Sequence, residues 1–330
     1  MHKQLILGIN NQPGGTMTLS ALIIFGTLIL VILFPYVFNI LKLKNPKKII
    51  IPSEGHHAQL SRGRIYYRWH EPKNLLSDDV IVLVHGFSTP SFVWNGVMQD
   101  LLSTGKRVLS YDHFGRGFSD RPKEKYSLKF YVDTLEELLS NLKVANDFHV
   151  VGYSMGGPIS ASFSHQNKER VKTLSLIAPA GYIPEPHWAM KLFMQPVIGD
   201  YFFKAFPSVY KNISASETKT SNDPKAINEK EFEKYFTYQT LFSGFTDALL
   251  STARNFNMTD SSESFKKIGK DGIKTQAIWG NLDGVVPISG IKGLKKDVPQ
   301  ILFKEIKEGT HDITYRQPTE VGKYLADFIS

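Results

Sequence analysis

Three rhythms of apolar and polar residues succeed one another along this chain. The first is an uninterrupted run: no charged residue occurs between Lys3 and Lys42, and Leu19 to Leu41 is almost wholly apolar. Crossing the hydrocarbon core of a bilayer takes roughly 20 such residues in a helix. The run therefore predicts a membrane-spanning helix over 19–41, behind a tail at 1–18 and ahead of a basic, polar linker at 42–61. A cleaved signal peptide is a rival reading. It would show a shorter apolar stretch of about 7–15 residues with a basic front and a small-residue cleavage site. A buried helix of a soluble protein is the third reading, and the length argues against it.

The second rhythm is one of short apolar runs separated by helical spacing. Val80 to Val84, Arg107 to Tyr111, Phe148 to Val151, Thr173 to Ile177, Thr275 to Trp279 and Ile301 to Ile306 have the look of strands. The continuous run at 80–84 suits a strand buried on both faces of a parallel sheet. Arg62 to His70 alternates as an edge strand would. Leu128 to Leu142 places Phe130, Tyr131, Leu135, Leu138, Leu139 and Leu142 at helical intervals. Strands alternating with helices predict an α/β fold around a mostly parallel, doubly wound sheet, built from 62–181 and 267–330.

The third rhythm interrupts the second. Between about 182 and 266 the alternation lapses into a stretch rich in large apolar residues, Ile183 to Tyr210, and then a polar one, Lys211 to Lys234. A long insertion between late strands predicts a helical cap over the carboxyl ends of the strands, where such sheets bind ligands. Trp188, Phe193, Met194 and Phe202 are the candidates for its substrate-facing side, and His187 falls in the same stretch.

Composition changes this picture in two places. The net charge of +8 suggests nucleic acid until it is located. Lys42, Lys44, Lys47, Lys48, Arg62, Arg64 and Arg68 lie within 42–70 against Glu54 alone, leaving the remainder close to neutral. A basic excess beside an apolar span points to membrane headgroups, and the positive-inside rule then puts the following domain in the cytoplasm. Nucleic acid is not expected as a partner. The chain has no cysteine, which removes disulfides, thiolate metal sites and cysteine nucleophiles. No metal-ligand spacing, phosphate-cradling loop or dinucleotide fingerprint occurs, so neither metal nor cofactor is expected. Nothing in the pattern specifies an oligomeric state.

The chemistry gathers around Gly152-Tyr153-Ser154-Met155-Gly156, which sits between a strand pattern and a small-residue helix. Strand, tight turn and helix is the context of a nucleophile elbow. A serine hydroxyl needs a base, usually histidine, and the histidine needs a carboxylate to orient it. After Ser154, one strand runs into Gly280-Asn281-Leu282-Asp283, and the next ends at Glu308-Gly309-Thr310-His311. Asp283 and His311 thus stand beyond successive strand ends in the order such a site uses. Asp-Gly is also a strong turn pair, so Asp283 has a structural reading too. Asp312 is expected at the surface, and His85 and His113 in structural hydrogen bonds. The oxyanion donors are expected at the amides of Met155 and Phe87.

Taken together, His85-Gly86-Phe87, Asp112-His113-Phe114-Gly115-Arg116-Gly117-Phe118-Ser119-Asp120-Arg121-Pro122, Gly152-Tyr153-Ser154-Met155-Gly156-Gly157, Gly280-Asn281-Leu282-Asp283 and Gly309-Thr310-His311 resemble the α/β-hydrolase superfamily from about residue 60 to the end. Within it, the chain is most similar to membrane-tethered monoacylglycerol lipases and related carboxylesterases. The resemblance implies Ser154 as nucleophile, Asp283 and His311 as its partners, Phe87 and Met155 as oxyanion donors, and a small-molecule or lipid ester as substrate. Haloalkane dehalogenases and epoxide hydrolases carry aspartate at the elbow, unlike Ser154. Carbon–carbon bond hydrolases typically have a cap arginine and a tryptophan after the histidine. Here no arginine lies between Arg170 and Arg254, and Asp312 follows His311. Cofactor-free perhydrolases share the triad, and a non-catalytic hydrolase-like binding module is the reading outside enzymes.

Overall fold

The computed structural model describes residues 18–145, 147–185, 188–207 and 221–330 of the chain. The apolar run forms α1 (Leu19–Leu41), capped by the Thr18 hydroxyl, which accepts from the Ala21 amide at 3.3 Å. No residue of α1 is buried. Beyond it come β1 (His56–Leu60), β2 (Gly63–His70), β3 (Val80–Val84), α2 (Met98–Ser103), β4 (Arg107–Tyr111) and α3 (Leu128–Asn141). They are followed by β5 (Phe148–Tyr153), α4 (Gly156–Gln166) and β6 (Val171–Ile177).

The eight strands form one sheet in the order β1-β2-β4-β3-β5-β6, then β7 (Thr275–Gly280) and β8 (Leu302–Ile306). β1, β2 and β4 pair antiparallel, and every pairing from β4 through β8 is parallel. The order reverses at β3, which lies between β4 and β5. Such a switch point opens a crevice at the carboxyl ends of the strands. β3 shows why a continuous apolar run marks a central strand: Val80, Val82 and Val84 enter one core and Ile81 and Leu83 the other.

The expected edge strand is not at the edge. Gly63–His70 is flanked on both sides, and the edge belongs to β1, inside the stretch expected to be linker. β1 reads His-His-Ala-Gln-Leu, and only Ala58 and Leu60 face inward. Its pattern is too thin to stand out from a polar segment, and its partner supplies the register.

Between β6 and β7 the chain forms α5 (Trp188–Phe193), α6 (Ile198–Ala205), α7 (Glu229–Thr240), α8 (Phe245–Asn255) and α9 (Ser262–Asp271). The expected end of the insertion, 266, falls inside α9 and is corrected. α9 packs on α4, with Ser162 Oγ donating to Ser264 Oγ at 2.8 Å and His165 joined to Asp271 at 2.6 Å. The insertion closes earlier, where Ser261 donates to the Gly181 carbonyl at 3.1 Å and Ile183 to that of Thr259 at 3.0 Å. After β7 come α10 (Ile291–Asp297), β8, α11 (Ile313–Arg316) and α12 (Pro318–Ile329), the last packed beside α2.

Candidate active site

β5 delivers its last residues into a turn too tight for ordinary backbone. Ser154 takes φ +54°, a left-handed conformation that costs a non-glycine residue energy and recurs at functional positions. The turn closes because its neighbours lack side chains. A Cβ on Gly156 would lie 2.1 Å from the Val84 carbonyl oxygen, and one on Gly86 would lie 3.2 Å from the Ser154 Cβ. The strain on Ser154 is held by Ile177, whose carbonyl accepts the Ser154 amide at 2.9 Å, and by the Ser154 carbonyl, which accepts from Ala180 and Gly157.

At the ends of β7 and β8 two loops are laced together. Asn281 donates to the Ile306 carbonyl at 3.1 Å and Leu282 to that of Gly309 at 2.8 Å. This brings Asp283 beneath His311. Asp283 Oδ1 accepts from the amides of Val285 and Val286, at 2.9 and 2.7 Å, while Oδ2 lies 2.8 Å from His311 Nδ1. The turn-forming and the imidazole-facing readings of Asp283 thus hold at once, one oxygen each. His311 Nε2 lies 2.9 Å from Ser154 Oγ. In the tautomer in which Nδ1 donates to Asp283, Nε2 is left to accept from the serine hydroxyl. Tyr153 donates its hydroxyl to the His311 carbonyl at 3.0 Å and so steadies the loop. The three side chains separated by up to 157 positions form one relay.

The two expected oxyanion donors lie on the loops after β3 and β5, which are neighbouring strands. Neither the Phe87 nor the Met155 amide donates to an acceptor among the described residues. The Phe87 peptide is fixed by a residue to which sequence reasoning gave no separate role. Arg116 is fully buried, its Nε donates to the Phe87 carbonyl and its Nη2 to Thr252 Oγ1 on α8 at 3.1 Å. The bond to the Phe87 carbonyl fixes the Phe87–Ser88 peptide, the unit next to the Gly86–Phe87 peptide that carries the Phe87 N–H. The signal available in the sequence was an arginine between two glycines; the nearby Asp112 and Asp120 are engaged elsewhere, Asp112 by the Ser91 and Phe118 amides and Asp120 by Arg64. Gln239 was missed as well: it is buried, donates to the Ser88 carbonyl at 2.9 Å and accepts from the Gly117 amide at 2.9 Å.

The remaining histidines and acids divide clearly. His85 Nε2 accepts from the His113 amide at 2.9 Å, and His113 Nε2 donates to the His85 carbonyl at 3.1 Å. Burial holds His113 down to about 3, and burial with His113 and Arg116 nearby holds His85 well below the usual value, so both are neutral. Asp112 is buried and accepts from the amides of Ser91 and Phe118, at 2.8 and 2.9 Å, which shapes the loop next to Phe87. Asp312 does not lie at the surface as expected. It is buried against Thr310 and Arg316, and burial pushes its carboxyl upward.

The candidate pocket residues scatter. Met194 and Phe202 are partly buried against the cluster that holds Tyr153, as Phe87 also is. Trp188 faces outward at 70% exposure. The Phe193 side chain and His187 lie outside the described residues. A cavity of about 260 Å³ lined by Tyr66, Arg68, His70, Asp112 and Tyr235 includes none of the three relay residues.

A family model described as alpha/beta hydrolase fold matches residues 79–316. The chain is 22% identical over 293 residues to a cis-3-alkyl-4-alkyloxetan-2-one decarboxylase of Shewanella oneidensis, covering 85% of this chain and 90% of that protein. It is 22% identical over 259 residues to the monoacylglycerol lipase ABHD6 of Bos taurus, covering 76% and 75%. Among solved structures, a bromoperoxidase from Bacillus anthracis superposes with a TM-score of 0.68 at 22% identity, covering 83% of this chain and 99% of that one. A membrane phospholipase A superposes at 0.65 and 17% identity, covering 94% and 96%. These structural likenesses show the fold alone.

Proposed function

Because this chain belongs to the α/β-hydrolase fold family, an enzyme superfamily whose model spans most of its length, we propose that it is a membrane-anchored serine hydrolase that cleaves carboxylic esters of hydrophobic, lipid-like substrates. The observation that carries the reading is the continuous relay from Ser154 Oγ through His311 to Asp283, at 2.9 and 2.8 Å, with the serine at a strained apex.

In this reading His311 Nε2 takes the hydroxyl proton as Ser154 Oγ bonds to the ester carbonyl carbon. Asp283 stabilises the imidazolium without taking its proton. The carbonyl oxygen becomes an oxyanion and meets the amides of Phe87 and Met155. Collapse of this intermediate breaks the carbon–oxygen bond, and the leaving alcohol takes the proton from His311. Water, deprotonated by His311, then adds to the acyl carbon, the bond to Ser154 Oγ breaks, and Ser154 takes the proton back from His311 as the acid leaves. Every step draws on groups of the chain itself.

The substrate class is supported by the apolar insertion and by a similar protein named as a monoacylglycerol lipase. In this reading α1 serves as the single-pass anchor, and Lys42, Lys44, Lys47 and Lys48 at its exit support a cytoplasmic catalytic domain by the positive-inside rule. A carbon–carbon hydrolase would want a free cationic group for an acidic substrate. Arg254, the first arginine after Arg170, is engaged by Asp200 at 2.9 Å and by the Met194 carbonyl at 2.7 Å.

The test is turnover by the full chain in micelles on p-nitrophenyl esters from acetate to palmitate and on monoacylglycerols. Peracid formation and a dienone carbon–carbon substrate run in parallel. Ester turnover that rises with acyl length is the expected result. Dienone cleavage or peracid formation with no ester turnover would replace the ester reading.

A further inference from the structure

α1 is not a loose tether. Just past its end, Lys44 donates to the Leu241 carbonyl at 2.8 Å and accepts from Ser243 at 3.0 Å, which stitches the exit to the loop between α7 and α8. Higher up, α1 packs on α6. Asn39 Nδ2 donates to the Ala205 carbonyl at 2.9 Å, the Tyr36 and Tyr201 rings stack at 5.9 Å, and the Tyr201 hydroxyl donates to the Ile32 carbonyl. The pairings advance together, so the two helices run the same way and the start of α6 lies farthest from the exit.

The depth of these contacts matters. Ile32 precedes Leu41, the last residue of α1, by nine positions. At 1.5 Å per residue that is about 14 Å along the helix, close to half of a hydrocarbon core of roughly 30 Å. A helix touching α1 at that level cannot stay in water if α1 spans. The chemistry of the contact fits lipid. Pro35 has no N–H for the carbonyl one turn back, so the ladder is broken there. In hydrocarbon such loosened backbone must find partners on neighbouring helices. The carbonyl that Pro35 leaves without its helical donor is that of Val31, and the Tyr201 hydroxyl bonds the adjacent one, Ile32.

The surface continues the argument. The charges of α6 turn toward α8, Asp200 to Arg254 at 2.9 Å and Lys204 to Asp247 at 2.6 Å. Apart from Lys191, which is exposed and pairs with Glu185 at 2.8 Å, and Gln195, the side chains that α5, α6 and their flanks leave outside are largely apolar: Trp188, Leu192, Val197, Ile198 and Phe206 are 70, 45, 79, 45 and 43% exposed. This patch adjoins α1, itself exposed along its length. Contiguous apolar surface of that kind marks an interaction site.

We propose that the α5–α6 hairpin is sunk into the membrane leaflet that holds the carboxyl-terminal half of α1, so that its occupant is the acyl region of the bilayer. The inference rests on α1 being a membrane span. It makes the insertion an entry for ester lipids that never leave the hydrocarbon.

The absence of cysteine makes the test direct. Full-length Ile198→Cys and Leu76→Cys chains carry an environment-sensitive NBD fluorophore in phosphatidylcholine vesicles containing nitroxide-labelled lipids. Leu76 is exposed just before β3, at the opposite end of the strands. Flotation after alkaline wash reports the anchor separately. The expected result is flotation of both chains, with the probe at 198 blue-shifted and quenched several-fold more by lipid-borne nitroxide than the probe at 76. Floated chains in which both probes answer only to aqueous iodide would overturn the inference and leave the anchor standing. Chains that do not float would overturn both.

Discussion

The sheet and the insertion solve opposite problems with the same chain. Around Ser154 the strands β3, β5 and β6 are buried on both faces, and the site is cemented by backbone hydrogen bonds and by glycines that admit no side chain. The insertion leaves large apolar residues outside and is tied down at its two ends and at α1. Rigid, over-determined backbone can hold a strained serine and aim two amides. An exposed apolar surface can meet a partner that the sheet never touches. Under the proposed function, the division gives reaction to one region and substrate access to the other.

The largest effect should follow from breaking the rigid side. Ser154→Ala or His311→Ala is expected to lower kcat by at least about 10⁴-fold, with the double variant no worse than either alone, because such groups act as a unit. Stopped assays on a soluble ester measure this. Additive losses would contradict a single relay.

The link between the regions comes next. Arg116 joins the Phe87 carbonyl to Thr252 of the insertion. Arg116→Met should lower kcat by about 10²-fold, the scale of one oxyanion donor, while KM moves little. A KM effect alone would make Arg116 part of the substrate pocket. The variant's unfolding midpoint separates this from a loss of folding, and Arg116→Lys should recover part of the rate.

The buried histidines sharpen the comparison through pH. Burial holds His70 and His149 down to about 4 and His113 down to about 3. The unfolded chain, with imidazoles titrating near about 6.5, takes up these protons first as pH falls. Stability is therefore full above that value, declines as pH drops toward about 4, and levels off near 3. Denaturation midpoints of the full chain in micelles between neutral and acid pH should follow that curve. A flat profile would contradict the neutral assignment.

The smallest and most selective effect belongs to the insertion. Ile198→Asp should slow hydrolysis of an ester embedded in vesicles several-fold and leave a soluble short-chain ester unchanged. Equal slowing on both would tie Ile198 to the reaction and remove the division of labour.

The two regions were also unequally legible. The helix at 19–41 and the buried strands announce themselves because long apolar runs and strands covered on both faces need no partner to be recognised. Ser154, Asp283 and His311 stood out by their order at strand ends, and the structure brings their side chains together. What escaped depends on contacts between distant segments. β1 exists because β2 pairs with it. Asp312 is buried by Thr310 and Arg316, which no local pattern reveals. The end of the insertion is set by the packing of α9 on α4, and nothing local to Trp188 marks its outward turn. Arg116 and Gln239 act on backbone carbonyls and amides more than 25 residues away, and composition carries no trace of such reach.

The central claim is that Ser154 is an activated nucleophile. The most direct measurement is intact-mass and peptide mapping of the full chain after reaction with a fluorophosphonate, beside His311→Ala. The account predicts one adduct per chain on the peptide containing Ser154, and none in the variant. A folded chain that takes no adduct, or takes it on another serine, would contradict it.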